Sequence, residues 1–279
     1  MFSGIGGFEL GISRILPNAK CIGYSEVNKY AIEVYVKHFD HKNYGDATKI
    51  NTRELEDFDM LVGGFPCQAF SFAGKRQGFK DTRGTLFFEI IRICKDKKPR
   101  IILLENVKGL LSHEDGRTFQ TILRSLANIG YRVEWQVLNS KNFGVPQNRE
   151  RVFIIGHLRG ESTQQIFPVT GDAGQIIKQS ISNTSQGTGL YAVLTPDRLN
   201  KRQDGRRFKE NEEPMFTLTG QDRHGVYDGY KIRRLTPIEC ERLQGFPDNW
   251  TEGLSDTQRY KCLGNAITVN VTEAIIKLI

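Results

Sequence analysis

The chain lacks any long apolar run. Nowhere do about 18 consecutive residues stay apolar, which excludes an ordinary membrane-spanning helix. No charged-then-apolar leader opens it, so no secretory signal is expected. Its five cysteines, Cys21, Cys67, Cys94, Cys240 and Cys262, are odd in number and scattered. There is no C-x-x-C pair and no Cys/His cluster, which excludes zinc ribbons and fingers and predicts no metal. A reduced, cytoplasmic compartment is the expected setting. Internal repeats are absent as well. Acidic residues are in the minority, 32 against 39 Lys plus Arg, for a net charge of +7. That balance favours an anionic partner, nucleic acid first.

What is present is the material of one large domain, or of one domain plus a smaller one: 279 residues, 38% hydrophobic. The first half alternates apolar runs with amphipathic stretches. Lys20–Ser25, Met60–Gly64, Arg100–Glu105, Arg132–Leu138 and Val152–His157 read as strands. Lys29–His38, Thr85–Lys95 and Thr118–Ile129 read as helices. Such alternation predicts an open, mostly parallel α/β sheet, with ligands beyond the carboxyl ends of its strands. Cys67 and Glu105 lie at such ends, whereas Arg149 and Arg151 lie at the start of theirs. For all four to share one edge, Val152–His157 must run antiparallel, paired with Arg132–Leu138 through the connection Asn139–Arg151. After His157 the texture turns polar, and 198–209 carries six basic residues against Asp204 alone. A helix at Pro237–Leu243 and a last helix at Ala266–Leu278 close the chain. Thr236, Pro237 and Glu239 spell a capping box, with Gly245 past the helix end. Cys240, inside that helix, reads as packing.

Several short segments carry chemistry. Phe2-Ser3-Gly4-Ile5-Gly6-Gly7-Phe8 is a glycine-rich turn leading into a helix, suited to close approach of a ligand. It departs from G-x-G-x-x-G because Glu9 stands at the third glycine, which disfavours a NAD oxidoreductase. Glu26, at the next strand end, suits ribose hydroxyls, and Asp46 suits an adenine amino group. Pro66-Cys67-Gln68 places a thiol at a strand end, ahead of a basic glycine-containing loop with Lys75, Arg76, Lys80 and Arg83. Glu105-Asn106-Val107, Gln147-x-Arg149-x-Arg151 and Gly264-Asn265 follow.

In that order, together with Arg234–Asp248, these segments resemble the motif series of the cytosine-C5 DNA methyltransferases. The resemblance covers nearly the whole chain except about 159–230. It implies a Rossmann-like S-adenosylmethionine-dependent domain whose mixed sheet contains one antiparallel strand, plus a small recognition domain. The expected division is a catalytic domain over residues 1–158, completed by 262–279, and a target-recognition domain over 159–261. Family members have an apolar strand before the glycine turn; only Met1 and Phe2 stand there, so the first strand is expected to be truncated or replaced. The resemblance implies Cys67 as nucleophile on cytosine C6, Glu105 acting at N3, Arg151 at O2, and Arg149 setting the local charge. Asn106 is expected to hold the Glu105 loop. S-adenosylmethionine is expected against Phe2, Gly4, Ile5, Gly7, Glu26, Val27, Asp46, Ala47, Pro66, Leu86, Asn265 and Ala266. Val27 stands where many relatives have an aromatic residue, and Ala266 replaces a common serine.

Duplex DNA is the expected partner, with the target base flipped out and the loop 69–84 closing over it. Lys75, Arg76, Arg83, Arg206 and Arg207 are expected at the DNA. Gln221 and Arg223, within Thr217–Gly225, are candidates for base edges, while Thr217 and Thr219 suit strand positions equally. A monomeric bacterial or phage modification enzyme is expected, with a cognate restriction endonuclease as a possible companion. Two other readings stay open: the branch of the family that methylates tRNA, whose late Cys-Phe-Thr element is missing here, and a non-catalytic DNA-binding relative.

Overall fold

The computed structural model describes residues 1–66, 85–161, 164–171, 190–197, 206–210, 213–227 and 230–279. Its centre is a four-stranded sheet built from β1 (Met60–Gly64), β2 (Ile101–Val107), β3 (Tyr131–Asn139) and β4 (Glu150–Leu158), in the order β1-β2-β4-β3. β1 and β2 are parallel, and β4 is antiparallel to both of its neighbours, as the positions of Arg149 and Arg151 require. β2 is buried on both faces, which explains its unbroken apolar run Ile101–Leu104.

Successive side chains of β2 feed different layers, because strand side chains alternate between faces. Ile102 and Leu104 pack with Phe87, Ile90 and Ile93 of α3 (Thr85–Lys97) and with Ile122 and Leu126 of α4 (Arg117–Asn128). Ile101 and Leu103 pack on the other face, with Phe8 of α1 (Gly7–Ile15) and the C-terminal Val271 and Ile275. Gly11 lets α1 approach that C-terminal helix closely, since a Cβ there would lie 2.8 Å from Thr272. α2 (Lys29–His38) has the predicted bounds, and Asn28 caps it by accepting from the Tyr30 and Ala31 amides.

Two sequence expectations need correction. Lys20–Ser25 forms no strand: Tyr24 makes one isolated bridge with Asn43, and on the other side only Ser3 donates, to the Ser25 carbonyl. One partner residue on each side cannot sustain a ladder. The expected single helix Ala266–Leu278 starts later, at Val269, and a helix that was not foreseen precedes it. Ala266, at its C-cap, and Thr268, at the next N-cap, are both extended, so the chain breaks between the two. Among the described residues the late helices are α5 (Pro237–Leu243), α6 (Asp256–Asn265) and α7 (Val269–Ile276). α5 and α6 pack with Ile5 and with Ala31 and Val34 of α2, and Trp250 donates to the Ile5 carbonyl at 2.9 Å. A second sheet, β5 (Tyr191–Leu194), β6 (His224–Tyr227) and β7 (Ile232–Arg234), is antiparallel throughout. No helix among the described residues is long and apolar enough to cross a membrane.

α5 begins as its sequence dictates. The Thr236 hydroxyl accepts from the Glu239 amide, and Glu239 reaches back to the Thr236 amide at 2.7 Å. Gly245 ends it at φ 78°, the left-handed backbone that glycine adopts at least cost. Glu239 also pairs with both terminal nitrogens of Arg233, at 2.7 and 2.9 Å. Arg233 foremost, then the Thr236 donors, hold its carboxyl at about 2. A carboxyl held below its ordinary value of 4.5 stabilises the fold above that pH and loses the contribution as pH falls toward 2. Glu239→Gln is therefore expected to cost about 1 kcal/mol at pH 7, a figure reduced for the pair's exposure to solvent. Urea unfolding at pH 7 and pH 3 checks this: the gap from wild type shrinks at pH 3, and a constant gap contradicts the assignment.

Candidate active site

The parallel pairing of β1 with β2 sets Gly64 opposite Glu105. A Cβ at Gly64 would lie 3.4 Å from Glu105 Oε2, so the carboxyl occupies the space beside the end of β1. Asn106 points to the other side of β2 and is buried. Its Nδ2 donates to the Phe65 carbonyl at 2.8 Å, and its Oδ1 accepts from the Val107 amide at 2.9 Å. It thus ties down the chain just ahead of Pro66. Cys67 itself, with Lys75, Arg76, Arg83 and the rest of 67–84, lies outside the described residues.

Antiparallel β4 brings Arg151 opposite Val107 on the far side of β2. Arg151 Nε stands 3.0 Å from Glu105 Oε1, with both side chains largely shielded. Burial pushes the Glu105 carboxyl upward, and the charges of Arg151 and Arg149 oppose that shift. A carboxyl raised by burial takes up a proton more readily and then becomes a hydrogen-bond donor.

Arg149, expected to set the local charge, is buried and bonded to main-chain carbonyls. It is 2% exposed, and its terminal nitrogens donate to the carbonyls of Leu218 at 2.7 Å, Gly264 at 3.1 Å and Ala266 at 2.7 Å. Burial, then the Arg151 charge, pulls it down to about 9, so it stays a cation at neutral pH. Its share in the site is its charge. Gln147, two residues earlier, is fully buried; it accepts from the Leu218 amide and donates to the Leu243 carbonyl, both at 2.8 Å. Gln244, also fully buried, donates to the Leu263 carbonyl at 2.7 Å and accepts from Thr268 at 2.8 Å. The stretch Thr217–Gly220 is thereby bound to the end of α6.

Of the expected cofactor contacts, Gly4, Ile5, Glu26 and Asn265 line one cavity of about 150 Å³. Gly4, at φ 55°, and Gly45, just before Asp46, both face open space. Glu26 Oε2 accepts from the Gly4 amide at 2.9 Å, and its Oε1 accepts from Val27 and Asn28. Asp46 Oδ1 accepts from the Thr48 amide and hydroxyl, which holds its carboxyl below the usual range. Val27 is 70% exposed beside Glu26. Three of the expected contacts also have partners within the fold. Gly7 packs on Ile267, the Ala47 carbonyl accepts from Arg92, and the Ala266 carbonyl accepts from Arg149. Phe2 packs at the edge of the core beneath the sheet, Pro66 is exposed at the strand end, and Leu86 is half-buried in α3.

A matching family model decides what this arrangement is: the one described as C-5 cytosine-specific DNA methylase fits residues 1–188 and 169–279. The chain belongs to the C-5 cytosine-specific DNA methylase family. The type II methyltransferase M1.ScrFI of Lactococcus lactis subsp. cremoris is 40% identical to this methylase over 295 residues, covering 99% of the chain and 75% of that protein. M.NlaX of Neisseria lactamica, also a type II methyltransferase, is 39% identical over 297 residues, 99% of the chain and 93% of its own length. The orphan methyltransferase M.SPRI of Bacillus phage SPR is 32% identical over 419 residues, covering 99% of the chain and 95% of that protein. Among solved structures, the S. pombe Dnmt2 methyltransferase shares the fold with a TM-score of 0.73 at 20% identity, over 99% of this chain and 96% of that one. The methylase is a DNA cytosine-5-methyltransferase of restriction-modification type, and methyltransferases of this family use S-adenosylmethionine.

The residues present fit that cofactor. A carboxylate anchored by backbone amides suits hydroxyl donors, open glycine backbone suits close approach, and Asn265 adds an amide. Among the described residues no group of three His, Cys, Asp or Glu could hold a metal ion. Sequence reasoning missed Gln147 and Gln244 as buried linkers and the cavity face of α6. Ser255 stands at the N-cap of that helix, but its side chain makes no capping hydrogen bond.

Of the residues expected at DNA, Arg207 and Arg223 lie together at the end of β5, where their carbonyls accept from the Leu194 and Thr195 amides. Arg206 pairs with Glu213 and Glu210, Arg223 pairs with Asp197, and Gln221 is exposed. Thr217 and Thr219 fall outside the strands of the second sheet. Exposed ion pairs are worth about 0–1 kcal/mol, so phosphates can displace them. Arg149 is a different matter. Arg149→Met strips a buried donor from three carbonyls and is expected to destabilise the fold by about 3–5 kcal/mol. Urea unfolding measures this, and a loss under about 1 kcal/mol contradicts the linking role.

Proposed function

We propose that this methylase acts on a cytosine flipped out of a specific duplex DNA sequence, through a transient bond between Cys67 Sγ and cytosine C6. The observation that carries the reading is the Glu105–Arg151 pair at 3.0 Å, set beside the end of β1 two residues ahead of the Pro66-Cys67 step. Cytosine C5 is a weak nucleophile. Thiolate addition at C6 moves the ring electrons to C5, which then attacks an electrophilic methyl carbon. S-adenosylmethionine supplies that methyl group when bound. Protonated Glu105 donates to N3 and draws the electrons of the addition, while Arg151 donates to O2. Transfer of the C5 proton to a general base lets the C6–Sγ bond break and restores the Cys67 thiolate. The positive charge of Arg149 and Arg151 favours that thiolate.

Glu26 and Asp46 serve the ribose and the adenine in this reading, with Asn265 closing the site. A duplex hides C6 within the base stack, hence the flipping step. In this reading the target-reading part lies within residues 159–261, where Leu218, Val226 and Leu235 share one apolar cluster with α5 and α6. Arg206, Arg207 and Arg223 release their internal partners to phosphates or bases, and Lys75, Arg76 and Arg83 act from the loop after Cys67. A monomer working beside a companion endonuclease suits the type II setting.

Tritiated S-adenosylmethionine offered with duplex DNA or with tRNA tests the reading. Label in DNA, lost by at least about a thousandfold in Cys67→Ser, is the expected result. Label in tRNA alone overturns the choice of substrate. Label in neither favours a binding protein, and an active Cys67→Ser variant removes the thiol from the reaction.

A further inference from the structure

The cavity beneath the glycine turn has a second wall that no motif announces. Gln258, Lys261, Cys262 and Asn265 line it from α6. Their spacing of three, four and seven residues is one face of a helix, so α6 presents a continuous strip to the cavity. Glu26, fixed by the amides of Gly4, Val27 and Asn28, lines the same cavity from another segment. Lys261 is the cation among the lining residues. Among the described residues it makes no ion pair and no side-chain hydrogen bond. Its stem has a fixed neighbour, since a Cβ at Gly220 would meet Lys261 Cγ at 3.6 Å. Its exposed side chain thus starts between Gly220 and the cavity it helps to line.

S-adenosylmethionine has two chemically distinct ends. The ribose offers hydroxyl donors, which a carboxylate accepts. The amino-acid end carries an α-carboxylate, which calls for a cation. The cavity has one of each among its lining residues, Glu26 and Lys261. We propose that Lys261 anchors the α-carboxylate of S-adenosylmethionine, orienting the cofactor end to end between α6 and Glu26. The inference rests on the cofactor reading above and adds the group that fixes its direction. A free lysine beside the recognition stretch also suits a DNA phosphate, and the test separates the two.

Calorimetric titration with S-adenosylhomocysteine and with its decarboxylated analogue, which keeps the amine and the nucleoside, reads the contact directly. Lys261→Met is expected to weaken S-adenosylhomocysteine about fivefold, the worth of a partly exposed charged contact. The decarboxylated analogue should bind the variant as it binds wild type, and Lys261→Arg should retain most of the affinity. Lys261 is exposed, so the variant is expected to fold, and a thermal melt verifies it. Unchanged S-adenosylhomocysteine affinity overturns the proposal, as does equal weakening of both ligands. Unchanged cofactor affinity with weakened DNA binding reassigns Lys261 to a phosphate. Wild-type protein that binds neither ligand rejects the cofactor reading itself.

Discussion

The site depends on one strand running backwards. In a wholly parallel sheet the start of β4 would lie at the edge away from the end of β2, and Arg151 could not meet Glu105. Antiparallel insertion between β2 and β3 puts the N-terminal residues of β4 at the C-terminal edge of β1 and β2. The register Val107 opposite Arg151 then leaves 3.0 Å between the guanidinium and the Glu105 carboxyl. A slip of one residue would turn Arg151 to the other face of the sheet, toward α3 and α4. Register is held firmly here because Val152 to Ile155 are buried on both faces.

A second constraint binds the parts that must act together. Gln147, Arg149 and Gln244 are buried side chains whose partners are mostly main-chain carbonyls and amides of segments far apart in sequence. A buried polar group left unpaired costs several kcal/mol, so each carbonyl they serve is fixed relative to β4. Gly264 makes the contact possible, because a Cβ there would lie 2.2 Å from the Thr219 backbone. The stretch Thr217–Gly220 and the turn at Asn265 are thus tied to the chain that enters β4.

Much of this was legible in the sequence, for identifiable reasons. The bounds of α2, β1 and α5 follow from the Asn28 cap, the apolar run before Gly64, and the capping box with its terminal glycine. The reversal of β4 followed from asking how Arg149 and Arg151 could share an edge with Glu105. What escaped was set by tertiary partners. Lys20–Ser25 has strand composition but only single-residue pairing on either side. α6 is mostly polar, and its cavity face of Gln258, Lys261, Cys262 and Asn265 carries no apolar period to announce it. Arg149 reads like Arg151 in sequence. Two residues apart, they would face the same side of a continuous strand; their roles divide because β4 begins only at Glu150, and Arg149, just outside it, is held by the carbonyls of Leu218, Gly264 and Ala266, segments far along the chain.

The central claim is that Cys67, Glu105 and Arg151 act together on one cytosine through a bond to C6. Duplex DNA carrying 5-fluorocytosine at the target tests it most directly, since fluorine cannot leave C5 as the proton does. Intact-mass measurement after incubation with S-adenosylmethionine should show protein, DNA and one methyl group joined, with the link mapped to the peptide containing Cys67. Absence of any joined species, under conditions where ordinary cytosine DNA is converted to 5-methylcytosine, would contradict the account.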